Sequence, residues 1–399
     1  MSAANPEAAP SCNQVATNWE VVQSFDDMHL KEDLLRGIYA YGFESPSALQ
    51  QRGILPITSG RDTILEAQSG TGKTAAYVIG VLQLIDEKLV QCQALILAPT
   101  RELARHVERT VVVLGEYLHI KTHACIGGAP ARDDMRALQD GVHVVVGTPG
   151  RIFDMINRQA LRLDHLKLFA LDEADEMLSH GLKDEIHGIL QRIPQATQVC
   201  LGSSTMPREL CDLAQLFMRE PVHIIGERDE SEINSRIRQF FLRVENDEWK
   251  LDAVFDVFAA LTAGIPLVVI YANTRSKVEW LTSQLQQREF TVSFVHADMA
   301  LGERDVALKE FSSGASRVLV ATEMFSVSFA SLRVPLVVNF DLPTRTEHYL
   351  HRIGRASRFS RPGVAINLVT GDEMNALQEI RQLYSTQIDE MPIDIASLL

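Results

Sequence analysis

The residues from Ala67 to Thr74, Ala-Gln-Ser-Gly-Thr-Gly-Lys-Thr, have the types and spacing of a loop that wraps around phosphate groups. Gly70 and Gly72 allow a tight turn, while backbone N–H groups, the Lys73 ammonium and the Thr74 hydroxyl can contact phosphate and Mg²⁺. The first position, commonly glycine, is alanine here, and a glycine-rich turn without a ligand is the alternative. We predict binding of a nucleoside triphosphate through Ser69, Gly70, Thr71, Gly72, Lys73 and Thr74.

An acidic cluster, Asp172-Glu173-Ala174-Asp175, follows the apolar run 166–171, which predicts a buried parallel strand. Carboxylates at the carboxyl end of such a strand lie beside the phosphate loop of an open α/β sheet. We predict that Asp172 holds Mg²⁺ together with Thr74, and that Glu173 orients or deprotonates a water. Alone, this cluster would equally suit the solvated start of a helix. Combined with the loop, it predicts hydrolysis of the nucleotide.

A basic segment in the second half, His351-Arg352-Ile353-Gly354-Arg355-Ala356-Ser357-Arg358, supplies two arginines three positions apart. On a helical turn Arg355 and Arg358 would share one face. Two guanidiniums facing a γ-phosphate would stabilise the charge of the transition state. The alternative is a solvated basic helix start.

Two sheets are predicted to position these residues. Short apolar runs alternate with longer amphipathic segments, which is typical of parallel sheets with helices on both faces. The runs are 62–66, 94–98, 142–146, 166–171, 198–201 and 222–225, then 267–271, 292–295, 318–320, 336–338 and 365–369, with a helix predicted over 75–89. We predict an α/β fold of two doubly wound parallel-sheet domains, 21–226 and 237–399, with a disordered tail over 1–20 and a flexible charged linker over 227–236.

The composition excludes several classes of protein. The chain has 399 residues, of which 46% are hydrophobic, so two ordinary domains can each bury a core. Apolar runs are too short to span a membrane, and the N-terminus lacks the pattern of a secretory signal. The five scattered cysteines fit a reducing compartment without zinc sites. A net charge of −14 argues against broad nucleic-acid binding, so any RNA contact must be local.

Further motifs occur in a fixed order along the chain. They are Gly42-Phe43 with Pro46 and Gln50, the phosphate loop, Pro99-Thr100-Arg101-Glu102-Leu103-Ala104, Gly127-Gly128, Thr148-Pro149-Gly150-Arg151, the acidic cluster, Ser203-Ser204-Thr205 and the basic segment. With these motifs the chain resembles the DEAD-box RNA helicases, and within that family the members that act in translation initiation, from Phe25 to Leu399.

The resemblance implies two RecA-like domains that close on ATP-Mg²⁺ and single-stranded RNA without reading its sequence. It also implies a monomer helped by a translation-initiation scaffold protein, located in the cytoplasm or, alternatively, in the nucleus. Gln50 would read the adenine, with Phe43 and Phe359 stacking on it. The implied RNA contacts are Thr100, Arg101, Gly128, Thr148, Arg151 and Thr322. The residues implied to couple the two ligands are Asp175, Ser203, Thr205 and His351.

The chain departs from the family pattern mainly in its second half. The family's Ala-Arg-Gly-x-Asp is replaced by Ser326-Val327-Ser328-Phe329-Ala330. The family's arginine and glycine lie against RNA, and its aspartate contacts the ATP ribose. Smaller departures are Ser204, Ala297, Leu301 and Ala356-Ser357. We therefore predict retained nucleotide binding with attenuated RNA-stimulated hydrolysis. One alternative is compensation by the neighbouring serines and backbone, and another is a weakly catalytic regulatory paralogue that binds ATP, RNA or scaffold.

Overall fold

The computed structural model describes residue 19 and residues 21–68, 70–179, 181–226, 237–260, 267–322, 334–356, 363–384 and 386–392. The chain divides into two units, Met1–Glu227 and Arg228–Leu399. The predicted linker and, apart from Trp19, the predicted tail lie outside the described residues. So do Ser69, Arg358, Phe359 and the segment 326–330, and their predicted roles stay predictions.

The first unit contains a parallel sheet of seven strands in the order β3-β4-β2-β5-β6-β1-β7. The strands are β1 (Thr63–Glu66), β2 (Ala94–Leu97), β3 (Thr122–Cys125), β4 (Val144–Gly147), β5 (Leu168–Leu171), β6 (Gln198–Ser203) and β7 (Val222–Ile225). The helices are α1 (Glu32–Ala40), α2 (Ala48–Thr58), α3 (Lys73–Leu84), α4 (Arg101–Leu114), α5 (Ala131–Gln139), α6 (Pro149–Asn157), α7 (Ala174–Ser179), α8 (Lys183–Leu190) and α9 (Arg208–Phe217).

The apolar runs of the first unit form its central strands because helices cover both sides. Every residue of β2, β4 and β5 is buried, which matches their apolar sequences Ala-Leu-Ile-Leu, Val-Val-Val-Gly and Leu-Phe-Ala-Leu. The edge strand β3 was not predicted. Its Thr-His-Ala-Cys sequence carries two polar residues, and only Cys125 is fully buried.

The second unit contains another parallel sheet of seven strands, in the order β10-β11-β9-β12-β13-β8-β14. The strands are β8 (Ile237–Arg243), β9 (Val268–Tyr271), β10 (Val292–Val295), β11 (Val318–Ala321), β12 (Leu336–Asn339), β13 (Gly363–Val369) and β14 (Asp389–Glu390). The helices are α10 (Asp247–Ala260), α11 (Arg275–Gln287), α12 (Leu301–Ser312), α13 (Glu347–Ile353) and α14 (Met374–Leu383).

Alternate residues of β9 separate the two cores of the second unit. Val268 and Ile270 belong to one apolar cluster, whereas Val269 and Tyr271 belong to another on the opposite face. The second sheet is therefore layered between apolar side chains. The two parallel sheets with their flanking helices confirm the prediction of two doubly wound parallel-sheet domains.

The helix after the phosphate loop is shorter than predicted. It covers Lys73–Leu84, and the prediction over 75–89 is wrong at both ends. The side chain of Asp86 accepts the Lys88 N–H at 3.0 Å, while the Gln93 amide accepts the Asp86 N–H and donates to the Asp86 carbonyl. These local bonds give the backbone an alternative to helical bonding.

Candidate functional site

The predicted nucleotide residues of the first unit lie at the carboxyl ends of three neighbouring strands. The order β5-β6-β1 places the acidic cluster, the Ser203–Thr205 segment and the phosphate loop side by side. Ligands of open α/β sheets bind outside the carboxyl ends of the strands. Sheet order therefore brings together motifs that are far apart in the sequence.

The phosphate loop has the strand–turn–helix context that its sequence predicts. Gly70 and Gly72 have φ angles of 87° and 97°, which glycine adopts without strain. Helix α3 begins at Lys73, so its N-terminal N–H groups and its positive dipole end lie at the loop. The buried Lys73 ammonium donates to the Ala67 carbonyl at 2.5 Å and lies 3.4 Å from Glu173 Oε2.

The Gln50 side chain connects helix α2 to the phosphate loop. Its Oε1 accepts the Ser47 N–H at 2.9 Å, and its Nε2 donates to the Gly72 carbonyl at 3.3 Å. The Ser47 hydroxyl donates to the Thr71 carbonyl at 2.8 Å. An amide has two N–H donors and two acceptor sites. These contacts leave one of each for the predicted recognition of adenine.

The Gly72 position gives a direct test of this connection. A Cβ at Gly72 would lie 2.5 Å from Gln50 Nε2, so we expect Gly72→Ala to displace Gln50 and lower ATP affinity roughly tenfold or more, as for one lost charged hydrogen bond. Titration with a fluorescent ATP analogue measures the affinity. Gly60→Ala is the matched control, since Gly60 also has a positive φ but open space around its Cβ position. Equal effects of the two substitutions would contradict the prediction.

Phe43, predicted to stack on adenine, is half-buried in an aromatic cluster close to Gly42. Its ring centroid lies 4.7 Å from that of Tyr41 and 6.4 Å from that of Phe25. Gly42 has a φ of 96°, which turns the chain before Phe43. The cluster fixes the position of the ring, and the stacking role stays a prediction.

Asp172 is buried and has one oxygen that suits a metal ion. Its Oδ2 accepts the Thr74 hydroxyl at 3.0 Å, whereas its Oδ1 has no hydrogen-bond partner among the described residues. Burial raises the pKa of the Asp172 carboxyl to about 6, and the negative charge of Glu173 acts in the same direction. A buried carboxylate oxygen without a partner is costly. The Thr74 and Asp172 oxygens therefore fit Mg²⁺, which prefers oxygen ligands.

Glu173 is buried in an unusual backbone conformation. Its φ is 50°, in the left-handed region that a non-glycine residue seldom occupies. Such a conformation costs of the order of 1–3 kcal/mol and is found preferentially at functional sites. It places the Glu173 carboxylate 3.4 Å from the ammonium of Lys73, the lysine of the phosphate loop. The position suits a group that orients or deprotonates a water.

Asp175 joins the acidic cluster to the Ser203–Thr205 segment. Its Oδ2 accepts the Ser204 hydroxyl at 2.8 Å, the Thr205 N–H at 2.9 Å and the Thr205 hydroxyl at 2.8 Å. The Ser203 hydroxyl accepts the Asp175 N–H at 3.2 Å and donates to the Thr205 carbonyl at 2.7 Å. The structure thus brings three of the predicted coupling residues together. Ser204, where the family has alanine, adds a further donor.

The predicted RNA residues of the first unit lie at the carboxyl ends of the adjacent strands β3, β4 and β2. Thr100 follows β2 and caps α4, where its side chain accepts the Leu103 N–H at 3.3 Å. Gly128 follows β3 with a φ of 89°, and Thr148 follows β4 and precedes α6. The side chains of Thr100 and Thr148 and the backbone of Gly128 therefore lie along this edge.

Two predicted RNA-binding arginines lie at the same edge. The Arg101 guanidinium lies against Gly127, where an added Cβ would be 3.0 Å from Arg101 Nη2. Arg151 donates to Asp134 Oδ2 at 2.6 Å and to the Ala129 carbonyl at 2.7 Å. The structure therefore holds both guanidiniums beside the loop that contains Gly128.

The predicted residues of the second unit lie on β11 and around α13. Thr322 follows β11, and its N–H donates to the Val295 carbonyl at 3.2 Å. His351 and Arg355 are buried, and the Arg355 Nε donates to the His351 carbonyl at 3.2 Å. Arg355 belongs to the short 3-10 turn Gly354–Ala356. The expectation that Arg355 and Arg358 share a helical face concerns a residue outside the described part.

Arg352 and Asp134 were missed by the sequence reasoning. Buried Arg352 donates to the Asp341 carbonyl at 2.7 Å and to Asn273 Oδ1 at 2.8 Å, which ties the basic segment to the end of β9. Asp134 is a buried carboxylate on a helix whose Ala131, Met135 and Leu138 pack against the apolar core. Charged residues are most often solvated, so the sequence carried no signal for either burial.

Comparisons with known proteins agree with this arrangement. Residues 47–213 match the family model described as DEAD/DEAH box helicase, and residues 249–360 match the helicase conserved C-terminal domain. Proteins named ATP-dependent RNA helicase eIF4A from Pyricularia oryzae and Neurospora crassa are each 54% identical over 387 residues, covering 97% of both chains.

Solved structures show the same fold. Dbp5 of S. cerevisiae, bound to RNA and ADP BeF3, matches with a TM-score of 0.85 and 31% identity over 94% of this chain and 99% of its own. A DEAD box protein from Methanococcus jannaschii matches with a TM-score of 0.54 and 30% identity, covering 93% of this chain and 99% of its own. Among the described residues, no helix has the length and apolar character needed to cross a membrane.

Proposed function

The chain belongs to the DEAD/DEAH box helicase family, and from this membership we propose that it is an RNA-dependent ATPase and RNA helicase. The observation that carries the proposal is the pairing of Thr74 with Asp172 and of Lys73 with Glu173 at the phosphate loop. These contacts join a phosphate-binding loop to the two carboxylates that hydrolysis requires.

Each predicted site residue has a separate task in the proposed reaction. Loop N–H groups and the Lys73 ammonium bind the phosphates of ATP, and Gln50 binds the adenine. Glu173 orients a water and takes its proton. Arg355 and Arg358 of the second unit neutralise charge that develops on the transferred phosphoryl group, and Phe359 stacks on the base. Positioning and charge stabilisation supply most of the catalysis in phosphoryl transfer.

We assign the metal position to the Thr74 hydroxyl and Asp172. The unpartnered Asp172 Oδ1 supports the assignment, because a cation would satisfy this buried oxygen. When bound, Mg²⁺ supplies positive charge that offsets the charge of the nucleotide phosphates. The Thr74 hydroxyl oxygen and Asp172 Oδ2, which would hold the ion, lie 3.0 Å apart.

The RNA site of the proposal is the edge formed after β2, β3 and β4. Thr100, Gly128 and Thr148 offer hydroxyl and N–H groups there, and Arg101 and Arg151 offer charge. Contacts to phosphates and sugars position a strand without reading its bases. A local set of this kind is compatible with a chain whose net charge is −14. Thr322, in the second unit, is proposed as a further RNA contact.

The coupling of ATP to RNA is assigned to the bonds between Asp175 and the Ser203–Thr205 segment. Strand β6, which leads into this segment, lies between β5 and β1 of the nucleotide site. Asp175 is part of the acidic cluster, so a shift at the nucleotide reaches the segment through hydrogen bonds. His351 is assigned the corresponding task in the second unit.

RNA-stimulated ATP hydrolysis tests the proposed function. We expect ATP turnover that rises when single-stranded RNA of any sequence is added, and separation of a short duplex that requires hydrolysable ATP. Turnover that does not respond to RNA at any concentration would refute the helicase, while retained ATP binding would leave a nucleotide-binding protein. DNA of the same sequence is the control for the sugar hydroxyl contacts.

The departure at 326–330 leads us to propose attenuated RNA stimulation. A hydrogen bond to a charged group contributes roughly 1.5–3 kcal/mol, so two such losses would sum to about 3–6 kcal/mol. Each 1.4 kcal/mol corresponds to about a tenfold change, which gives an expected weakening of roughly a hundredfold or more. We expect Val327→Arg, Ser328→Gly and Ala330→Asp, introduced together, to raise RNA-stimulated turnover at constant salt. Wild-type turnover equal to that of an intact relative would contradict attenuation.

A second candidate, a regulatory protein that binds ATP, RNA or scaffold with little turnover, is favoured by the same departure. The enzyme is favoured by the presence of the groups for hydrolysis, which a binding protein does not need. These groups are Lys73, Asp172, Glu173, Arg355 and Arg358. Competition separates the two. A regulator inhibits an active relative when both are mixed with limiting RNA or scaffold, whereas an enzyme adds its own turnover.

Similarity to proteins named eIF4A supports a role in translation initiation. We propose action in the cytoplasm as a monomer, with a scaffold protein that holds the two domains near the productive arrangement. Co-purification with initiation complexes from a cytoplasmic extract tests the setting. Enrichment in nuclear messenger-RNA complexes instead would favour the nuclear alternative.

A further inference from the structure

Asp134 is a buried carboxylate with no part in the functions assigned above. It is the one buried residue of helix α5 (Ala131–Gln139), whose other residues are partly or fully exposed. The apolar residues of this helix, Ala131, Met135 and Leu138, pack against the core but are only partly buried. Burying a charge is costly unless the charge is paired. The buried Asp134 carboxylate therefore needs hydrogen-bonding or oppositely charged partners.

The partners of Asp134 are Arg151 and His123. Asp134 Oδ2 accepts from Arg151 Nη1 at 2.6 Å, and Asp134 Oδ1 lies 2.9 Å from His123 Nε2. The carboxylate is thus bonded on both oxygens, by side chains from α6 and β3. Together with Cys125, His123 and Asp134 have ligand atoms within 4.8 Å of one another. The two hydrogen bonds already satisfy the carboxylate, so the cluster is explained without a metal ion.

Arg151 is held at two points, and part of it remains accessible. Its Nη2 donates to the Ala129 carbonyl at 2.7 Å, directly after Gly128. A guanidinium has five N–H donors, of which these contacts with described residues use two. About 12% of the Arg151 side chain is exposed. The guanidinium is therefore fixed in direction and retains donors for another acceptor.

We propose that Asp134 is a positioning residue for RNA binding, which holds the Arg151 guanidinium at the carboxyl edge of β4 for an RNA phosphate. The inference rests on the proposed RNA role of Arg151. A free arginine loses rotamer freedom when it binds, and the ion pair with Asp134 removes most of this loss in advance. The hydrogen bond from Arg151 to the Ala129 carbonyl also fixes the guanidinium relative to the loop that contains Gly128.

The test compares single variants by the fluorescence anisotropy of a short labelled polyuridine strand with a non-hydrolysable ATP analogue. We expect Arg151→Ala to weaken RNA binding about tenfold or more, as for the loss of one charged hydrogen bond. Asp134→Asn is expected to weaken it by about three- to tenfold, because the arginine remains but is no longer held. Asp133→Asn, at the exposed neighbouring position of the same helix, is the matched control and should leave RNA affinity unchanged.

Two further measurements separate positioning from general loss of structure. The affinity for the ATP analogue should be unchanged in every variant, which shows that the nucleotide site is folded. The dependence of log Kd on log salt should become shallower by about 0.7 for Arg151→Ala, the value for one phosphate contact on a single strand, and by part of this for Asp134→Asn. Asp134→Glu keeps the charge and should recover RNA affinity.

The outcomes are distinct. If Arg151→Ala weakens RNA binding while Asp134→Asn behaves like Asp133→Asn, the positioning role is refuted and the proposed RNA site stands. Tighter RNA binding by Asp134→Asn would show that the carboxylate competes with the phosphate, which also overturns the inference. If Arg151→Ala binds RNA normally, the RNA role assigned to Arg151 fails, and the inference fails with it.

Discussion

Glu173→Gln is expected to lower ATP turnover by about 10²–10⁴-fold, the usual contribution of a general base, while ATP affinity changes only a few-fold. Glutamine has nearly the same shape, so it can keep the left-handed backbone and the buried position next to Lys73. It cannot accept a proton from water. Single-turnover hydrolysis with enzyme in excess, measured at saturating RNA, reports the chemical step alone.

The control for this substitution is Glu116→Gln, at an exposed position of the same unit. Both variants remove one negative charge, so a general electrostatic effect would appear in both. The assigned role of Glu173 is contradicted if turnover remains within about threefold of wild type, since positioned bases contribute far more. A parallel loss of ATP affinity would instead assign Glu173 to nucleotide binding.

Lys73→Met is expected to lower turnover by about 10²–10³-fold, the usual loss when one preorganised donor to a developing charge is removed. Methionine fills a similar volume but cannot donate to a phosphate. We also expect ATP affinity to fall by roughly tenfold or more, because the lost contact is a charged hydrogen bond. Isothermal titration with ATP analogues and steady-state hydrolysis measure the two effects.

This substitution removes the ion pair between Lys73 and the buried Glu173 carboxylate. Thermal unfolding must therefore accompany the assays, since removing one partner of a buried ion pair is destabilising. The double variant Lys73→Met with Glu173→Gln removes both charges and should unfold at a higher temperature than Lys73→Met while remaining inactive. Lys88→Met, at an exposed position near the end of α3, is the matched control. Normal ATP binding by Lys73→Met would refute the assignment of the loop.

The two substitutions are expected to have different effects, although the Lys73 and Glu173 side chains are only 3.4 Å apart. Loss of Lys73 weakens binding and chemistry together, whereas loss of Glu173 affects chemistry alone. A purely structural ion pair would produce the same phenotype from either side. The comparison therefore tests the proposed division of labour at the phosphate loop.

The sequence by itself determined the two sheets, the phosphate loop and the acidic cluster. Each of these is encoded locally. Glycine, lysine and threonine at fixed spacing predict a phosphate loop followed by the start of a helix. Unbroken apolar runs such as 94–97 predict a buried strand. Strand β3 was not predicted, because its polar residues Thr122 and His123 give no apolar pattern. Strand β8 was not predicted either, since its buried Gln239 depends on hydrogen bonds to Tyr349 and Thr386.

Only the tertiary structure decided which side chains meet. Gln50 reaches the Gly72 carbonyl, Arg151 reaches Asp134, and Arg352 reaches Asn273, which is 79 positions away. The order β3-β4-β2-β5-β6-β1-β7 sets the first two encounters in the first unit, and the order β10-β11-β9-β12-β13-β8-β14 sets the third in the second unit. Periodicity reports how one segment is buried, but not which strand lies next to it. The partners of a buried charge follow from strand order, so they become visible only when the sheets have been assembled.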